Sequence, residues 1–149
     1  MDKLFYLLLV LVGGVASAIQ SPINAALGKR IGVFEGGLVS FIVGTIVMAA
    51  LVLIFGKGDL LSALHGAKWQ LLGGVFGVIM VMMIIIATPK LGVSLVLAGV
   101  VLGQLAASMV IDHFGLFQTQ VVPINMYRII GILLIIAGVF FVYKSKVSA

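Results

Sequence analysis

Two rows of polar side chains recur at helical spacing in an otherwise apolar sequence. The first row comprises hydroxyls, amides and a glycine, with a proline among them: Ser17, Gln20, Ser21, Pro22, Asn24 and Gly28. The second row repeats every fourth residue: Gln104, Ser108 and Asp112. Spacings of three and four residues place side chains on one face of a helix. Such amides and hydroxyls either line a pathway for a polar or weakly charged solute or form hydrogen bonds between helices.

The composition indicates that the surroundings of these rows are mostly lipid. Of the 149 residues, 63% are hydrophobic and 9% are charged, whereas soluble domains carry about 25% charged residues. Polar groups at membrane depth are costly unless they are paired or line water. The two rows are therefore the part of the sequence in which function is expected.

Uncharged stretches between charged residues predict five transmembrane helices, since each stretch is close to the roughly 20 residues that cross a bilayer. Arg128 can snorkel within the last of them. An Ala16-Ser17-Ala18 segment imitates a signal cleavage site, but the apolar stretch continues past it, so we expect no cleavage. The predicted fold is an all-α integral membrane protein with a single five-helix domain, residues 1-149. The predicted spans are 4-28, 35-56, 69-89, 91-111 and 124-143.

The cations are divided almost evenly between the two membrane faces of this arrangement. One face holds Lys3, Lys57, Lys68 and Arg128, and the other holds Lys29, Arg30, Lys90, Lys144 and Lys146. Orientation normally follows an excess of Lys and Arg on the cytoplasmic side. The balance predicts that the chain inserts both ways and pairs as an antiparallel homodimer, a ten-helix bundle of inverted repeats. Alternatively, Lys29 and Arg30 in the first hairpin fix one orientation.

An antiparallel pair also bears on the two polar rows. Both rows lie toward the C-terminal halves of their helices, and helices 1 and 4 run in opposite directions. Within one subunit the rows therefore lie toward opposite faces, whereas helix 1 of one copy and helix 4 of the other bring them to the same side. We expect one solute pathway formed by both copies, lined by Ser17, Gln20, Ser21, Asn24, Gln104 and Ser108.

Small residues at four-residue spacing predict close helix packing, because they let helix backbones approach in lipid. The residues in question are Gly73 and Gly77 in helix 3, and Gly99, Gly103 and Ala107 in helix 4. We expect the helix 4 row to make a close contact near the centre of the membrane.

Four further residues suggest gating or ion pairing. Pro22 removes an amide hydrogen, so helix 1 either kinks there, as a hinge, or ends there. Asp112 at the end of helix 4 opposes the helix dipole and requires a cation, for which Arg128 is the candidate. A structural ion pair is favoured over a proton relay, and His113 is expected to be solvated.

The sequence lacks the residues that several kinds of catalytic and metal site require. The absence of cysteine excludes thiol catalysis and thiolate metal sites. No acidic residue lies in the middle of a span, and there is no Walker loop, zinc-protease helix motif or nucleophile elbow. We expect neither an enzyme nor a cofactor, metal site or nucleic-acid partner.

Four segments of the sequence resemble the YdcZ-like family of small bacterial inner-membrane proteins, part of the drug/metabolite transporter superfamily. They are SPINAALG at 21-28, VSFIVGT at 39-45, ATPKLG at 87-92 and GQLAASMVIDHFG at 103-115. The resemblance covers essentially the whole chain and implies five-helix units that form dual-topology dimers, oppositely oriented pairs or fused ten-helix proteins. Family motif positions are matched by Pro22, Asn24, Gly28, Pro89, Gly92, Gln104, Ser108, Asp112, His113 and Gly115. The sequence departs from the small multidrug exporters of the superfamily, since helix 1 has no membrane glutamate.

The sequence thus predicts a multi-pass inner-membrane transporter whose partners are a second copy, the lipid bilayer and a small-molecule substrate. Alternating access in the homodimer is the expected mechanism, with polar walls from Gln20, Asn24, Gln104 and Ser108. Two alternatives remain open: a small-ion channel of dual topology, and a membrane assembly protein that transports nothing.

Overall fold

The chain is all-helical in its computed structural model, which describes residues 2–147 apart from the side chains of Asp2, Leu64, Lys146 and Val147. Lys146, one of the cations counted above, thus has its side chain outside the described residues. Five helices are long and apolar enough to cross a membrane, as predicted. They are α1 (Asp2–Ile31), α2 (Val33–Phe55), α3 (Leu72–Leu91), α4 (Val93–Phe114) and α5 (Met126–Val147). Short 3₁₀ helices cover Leu61–Leu64, Lys68–Leu71 and Leu116–Gln118.

The helix ends differ from the predicted bounds. Helix α1 continues through Pro22 to Ile31, so the proline does not end the helix. Helix α4 likewise runs past Asp112 to Phe114, whereas α3 and α5 begin a few residues later than predicted. Charged side chains can extend into the headgroup region while the backbone stays helical. The first charge in the sequence therefore does not mark the last helical residue.

Single glycines separate α1 from α2 and α3 from α4. Gly32 has φ 109° and ψ 150°, and Gly92 has φ 75° and ψ 161°. This backbone region is essentially restricted to glycine, because a Cβ would clash there. The amide of Gly32 donates to the carbonyl of Gly28 at 3.0 Å, and the amide of Gly36 donates to the carbonyl of Gly32 at 2.9 Å. Both helices therefore share hydrogen bonds with the glycine between them.

The chain divides into two compact units, Met1–Lys90 and Leu91–Ala149. The first contains α1, α2 and α3, and its core lies where α1 ends, α2 begins and α3 ends. Buried residues there come from all three helices: Ser21, Asn24, Ala25, Gly28, Gly36, Gly37, Met82, Ile84, Ile85 and Thr88. Toward the N-terminus of α1, by contrast, apolar residues such as Leu4 and Val10 are more than half exposed. The first unit is thus tightly packed at one end only.

Glycine allows the closest helix approach in this first unit. A Cβ added at Gly36 would lie 2.8 Å from the Cα of Gly28, and one at Gly37 would lie 2.6 Å from the sulfur of Met82. The buried positions of α1 recur in α3: Ile84, Ile85 and Thr88 precede Gly92 by the same distances as Asn24, Ala25 and Gly28 precede Gly32. Helices α1 and α3 therefore use equivalent faces in the core.

The second unit contains α4 and α5, which pack against each other. Gly115 ends α4 in the left-handed conformation, with φ 61°, and its amide donates back to Asp112 and Ile111. This is the usual way for a glycine to satisfy the last carbonyls of a helix. The segment from Gly115 to Asn125 then connects the two helices.

Candidate functional site

Buried polar side chains of α1 form hydrogen bonds with α2 and α3. The hydroxyls of Ser21 and Thr88 share a hydrogen bond of 2.9 Å, and Ser21 is only 1% exposed. Ser40 donates to the side-chain oxygen of Asn24 at 2.9 Å and lies 3.0 Å from the carbonyl of Gly36. Two of the predicted pathway residues, Ser21 and Asn24, therefore use their polar atoms between helices. This is the structural alternative that the sequence left open.

Gln20 lies next to this buried cluster but lines a groove. The groove has a volume of about 390 Å³ and is lined by Gln20, Ser40, Phe41, Gly44, Thr45, Met48 and Val81. We call it the polar groove. It belongs entirely to the first unit, with walls from α1, α2 and α3. Of the predicted helix 1 row, it contains only Gln20, while Ser17 is half-buried elsewhere on α1.

The hydrogen-bonding capacity of the polar groove comes mainly from Gln20. Thr45 donates to the carbonyl of Phe41 at 2.8 Å, and the Ser40 hydroxyl is used on Asn24 and Gly36. The hydroxyls of Ser40 and Thr45 can therefore only accept hydrogen bonds from a molecule in the groove. The exposed amide of Gln20 has no hydrogen-bond partner among the described residues, so it can both donate and accept.

No ionisable side chain lines the polar groove. Its remaining walls are the apolar side chains of Phe41, Met48 and Val81. Gln20 lies about 13 Å along the helix axis from Lys29, which is near the end of α1. This distance places Gln20 at membrane depth. The groove can bind a small molecule with one apolar part and one neutral hydrogen-bonding part, by burial and by hydrogen bonds.

The second polar row lies in the second unit. Gln104 is exposed on α4, and the half-buried Ser108 donates to the carbonyl of Leu105 at 2.9 Å. Ser108 and Arg128 also line a smaller pocket of about 240 Å³ between α4 and α5. Gln104 and Ser108 are thus in a different unit from Gln20, and the expected joint pathway with helix 1 stays a prediction.

Asp112 and Arg128 form the ion pair expected from the sequence. The Nη2 atom of Arg128 lies 3.0 Å from Oδ2 of Asp112, and the two side chains are 29% and 30% exposed. Arg128 also donates to the carbonyl of Val122 at 3.4 Å. The backbone amide of Val122 in turn donates to the carbonyl of Asp112 at 2.9 Å. The pair therefore holds the segment after α4 against the start of α5.

His113 takes part in the same arrangement. The amide of Ile124 donates to its Nδ1 atom at 3.3 Å, and its ring meets that of Phe114 edge to face. The imidazole therefore acts as an acceptor toward the connecting segment. The sequence predicted gating, ion pairing or solvation for His113. It did not predict this hydrogen bond, because nothing in it shows that residue 124 returns to residue 113.

The glycines predicted to pack closely have open space around them instead. Apart from the backbone of its own helix, nothing described in the same unit lies within 4 Å of a Cβ placed at Gly73, Gly99 or Gly103, and a Cβ at Gly77 meets Phe41 at 4.0 Å. Ala107, in the same row of α4, is exposed. Within the first unit, close helix contacts are made instead at Gly28, Gly36 and Gly37. The close contact predicted for the helix 4 row is not made within the second unit.

Two residues of the buried cluster were missed as hydrogen-bonding residues. Thr88 lies in the ATPKLG segment and Ser40 in the VSFIVGT segment, so both were visible as polar residues in apolar spans. Spacing along one helix carries no information about the hydrogen-bond partners of Thr88 and Ser40, because these partners, Ser21 and Asn24, lie on α1. Among residues 2–147, no group of three His, Cys, Asp or Glu side chains is placed to hold a metal ion.

Comparison with known proteins gives a family match. A family model, DMT_YdcZ, with the description "Putative inner membrane exporter, YdcZ", matches residues 5–141. This range includes the polar groove, both polar rows and the Asp112–Arg128 pair. No curated protein and no solved structure matches the chain.

Proposed function

Because this chain belongs to the YdcZ family of inner-membrane proteins, we propose that it is a secondary transporter that exports a small, uncharged or weakly charged solute. The solute has an apolar part and a neutral hydrogen-bonding group. It binds in the polar groove, where its apolar part contacts Phe41 and Met48 and its polar group bonds Gln20.

The exposed Gln20 amide is the observation that carries this proposal. Placing an unpaired amide in hydrocarbon costs several kcal/mol in transfer scales, so a glutamine at this depth requires water, a solute or another protein group. The neighbouring Ser21 and Asn24 have such partners within the chain, whereas Gln20 has none among the described residues. A transport site supplies both water and solute in turn.

The active form in this proposal is an antiparallel homodimer. The near-even division of cations between the membrane faces supports insertion in both orientations. The open space at the glycines of α4 supports a contact with a second copy. The polar groove is open on one side, and in this proposal the second copy covers that side. Inverted copies make the inward-open and outward-open states equivalent, so alternating access requires only that the two copies exchange conformations.

Within this mechanism the named residues have distinct roles. Gln20 binds the solute, and Asn24 positions Ser40 at the wall of the polar groove. Gln104 and Ser108 line the pathway from the other copy. Pro22 lies inside α1 without a backbone amide hydrogen and serves as the hinge. The protein is neither an enzyme nor a cofactor-binding protein in this proposal.

The proposal is tested by solute binding followed by flux. A panel of neutral amino acids, polyols, amides and small aromatic alcohols is screened for thermal stabilisation of the purified protein, since a ligand that binds the folded form raises its stability. A solute that stabilises the protein is then followed in proteoliposomes by counterflow. We expect saturable exchange, and a reduction of about three- to tenfold in apparent affinity for Gln20→Leu, the loss of one neutral hydrogen bond.

Gln70→Leu is the matched control, because Gln70 is exposed in the 3₁₀ helix before α3 and lies outside the polar groove. It should leave exchange unchanged. A non-saturating, voltage-dissipating flux would instead establish the channel. Exchange that is unaffected by Gln20→Leu would remove the polar groove as the binding site.

A further inference from the structure

A second groove in the first unit combines two lysines with apolar walls. It has a volume of about 260 Å³ and lies where α1 and α3 end, lined by Lys29 and Lys90 together with Ala25, Val33, Ile85 and Ile86. We call it the basic groove. It shares no lining residue with the polar groove.

Its charge is strongly positive for so small a surface. Lys29, Arg30 and Lys90 all lie in the last turns of α1 and α3, and all three are exposed. Neither Lys29 nor Arg30 forms an ion pair within the described chain. The carboxylate of Glu35, in the first turn of α2, folds over Gly32. The lining of the groove itself carries two lysines and no carboxylate, so its charge suits an anion.

The geometry places these charges above hydrocarbon-like walls. Ala25 and Ile86 each precede the lysine of their own helix by four residues, which is about 6 Å along the axis. The lysines thus lie at the membrane surface, and the apolar part of the groove extends about one helical turn toward the bilayer centre. An occupant must be anionic at the surface and apolar beneath it.

We infer that the basic groove binds an anionic phospholipid. The phosphate lies against Lys29 and Lys90, and the first carbons of an acyl chain lie against Ile85 and Ile86. Basic pockets between transmembrane helices are known to suit such headgroups. A soluble anion would use only the lysines and leave the apolar walls in contact with solvent or other lipids, so charge complementarity and apolar walls together favour a lipid.

Lipid titration of the purified protein in detergent, followed by native mass spectrometry, tests this inference. The probes are dioleoylphosphatidylglycerol and dioleoylphosphatidylcholine. We expect the anionic lipid to bind more tightly and Lys29→Gln/Lys90→Gln to reduce that preference, by about fivefold for each lysine. The matched control, Lys57→Gln/Lys68→Gln, removes two cations from the segment between α2 and α3. This variant should keep the preference for the anionic lipid unchanged.

Two further variants separate the groove from general attraction to positive charge. Lys29→Arg/Lys90→Arg keeps the charges and should keep the preference, which also shows that these positions tolerate substitution. Ile86→Trp fills the apolar part, since Ile86 is 43% exposed, and should weaken binding with both lysines present. Equal binding of the two lipids, an equal effect of the control pair, unchanged binding to Ile86→Trp or full competition by inorganic phosphate would each overturn the inference.

Discussion

Gln20 and Ser21 are neighbours in sequence and meet opposite surroundings. Ser21 is buried against Thr88, whereas the amide of Gln20 is exposed in the polar groove. Helical periodicity places both near one face of α1, and the sequence therefore predicted the same role for them. What separates them is the position of α2 and α3 around α1, and this depends on contacts between distant residues that spacing along one helix does not encode.

The buried Ser21–Thr88 pair leads to a prediction about stability. Ser21→Ala leaves the Thr88 hydroxyl without its partner, and interhelical hydrogen bonds in membranes contribute about 0.6 kcal/mol on average and about 1.7 kcal/mol at most. We expect Ser21→Ala to lower the free energy of unfolding, measured by detergent denaturation, by an amount within that range. A double-mutant cycle with Thr88→Val measures the coupling between the two hydroxyls.

Ser94→Ala provides the control for this cycle. Ser94 is exposed near the start of α4 and has no hydrogen bond within the described chain. Its substitution should change stability by less than about 0.5 kcal/mol, the usual range for surface positions. An equal loss for Ser94→Ala and Ser21→Ala would show that the buried pair contributes nothing specific.

At the scale of helices, composition and charge spacing were sufficient to predict five spans but insufficient to predict how the spans pack. Long apolar stretches are necessary for crossing lipid, so their number is readable from sequence. The contacts between helices depend on which small residues face each other, and all five helices contain them. Gly28 and Gly36 meet, while Gly73, Gly99 and Gly103 have open space.

An added methyl group at Gly36 should accordingly be destabilising. In Gly36→Ala the new Cβ lies 2.8 Å from the backbone of Gly28, so α1 and α2 must separate. Overpacking of this kind costs about 1–3 kcal/mol. The free energy of unfolding of Gly36→Ala, measured by the same denaturation, should fall by that amount.

Gly74→Ala is the comparison within the same unit, since nothing within the described chain lies within 4 Å of a Cβ at Gly74. It should be neutral or slightly stabilising, because alanine is the better helix former. If Gly74→Ala were as destabilising as Gly36→Ala, close contact between α1 and α2 would not be the cause.

At the scale of the whole molecule, the proposed antiparallel homodimer makes a prediction about self-crosslinking. Its two-fold axis lies in the membrane plane, so a residue can approach its own copy only near mid-membrane. Gly103 lies at the middle of α4 and has open space around it. The chain contains no cysteine, so Gly103→Cys introduces one thiol per subunit, and we expect oxidative crosslinking of this variant into a dimer.

Ser94→Cys near the start of α4 supplies the control for the crosslinking. In an antiparallel pair the two copies of residue 94 lie near opposite membrane faces and should not crosslink, whereas in a parallel pair both positions should crosslink. Efficient dimer formation by Ser94→Cys would contradict the antiparallel arrangement while leaving the Gln20 site unaffected.

The single-glycine connections have a consequence for insertions and deletions. Surface loops usually absorb extra residues, and the segments around Lys57 and Gln120 are long enough to do so. At Gly32 and Gly92 there is no slack, so an inserted residue must extend a helix and turn every following side chain by about 100°. In α2 this rotation would take Gly36 away from Gly28 and Ser40 away from Asn24. Length variation should therefore be confined to two of the four connections, and an epitope tag belongs near Lys57.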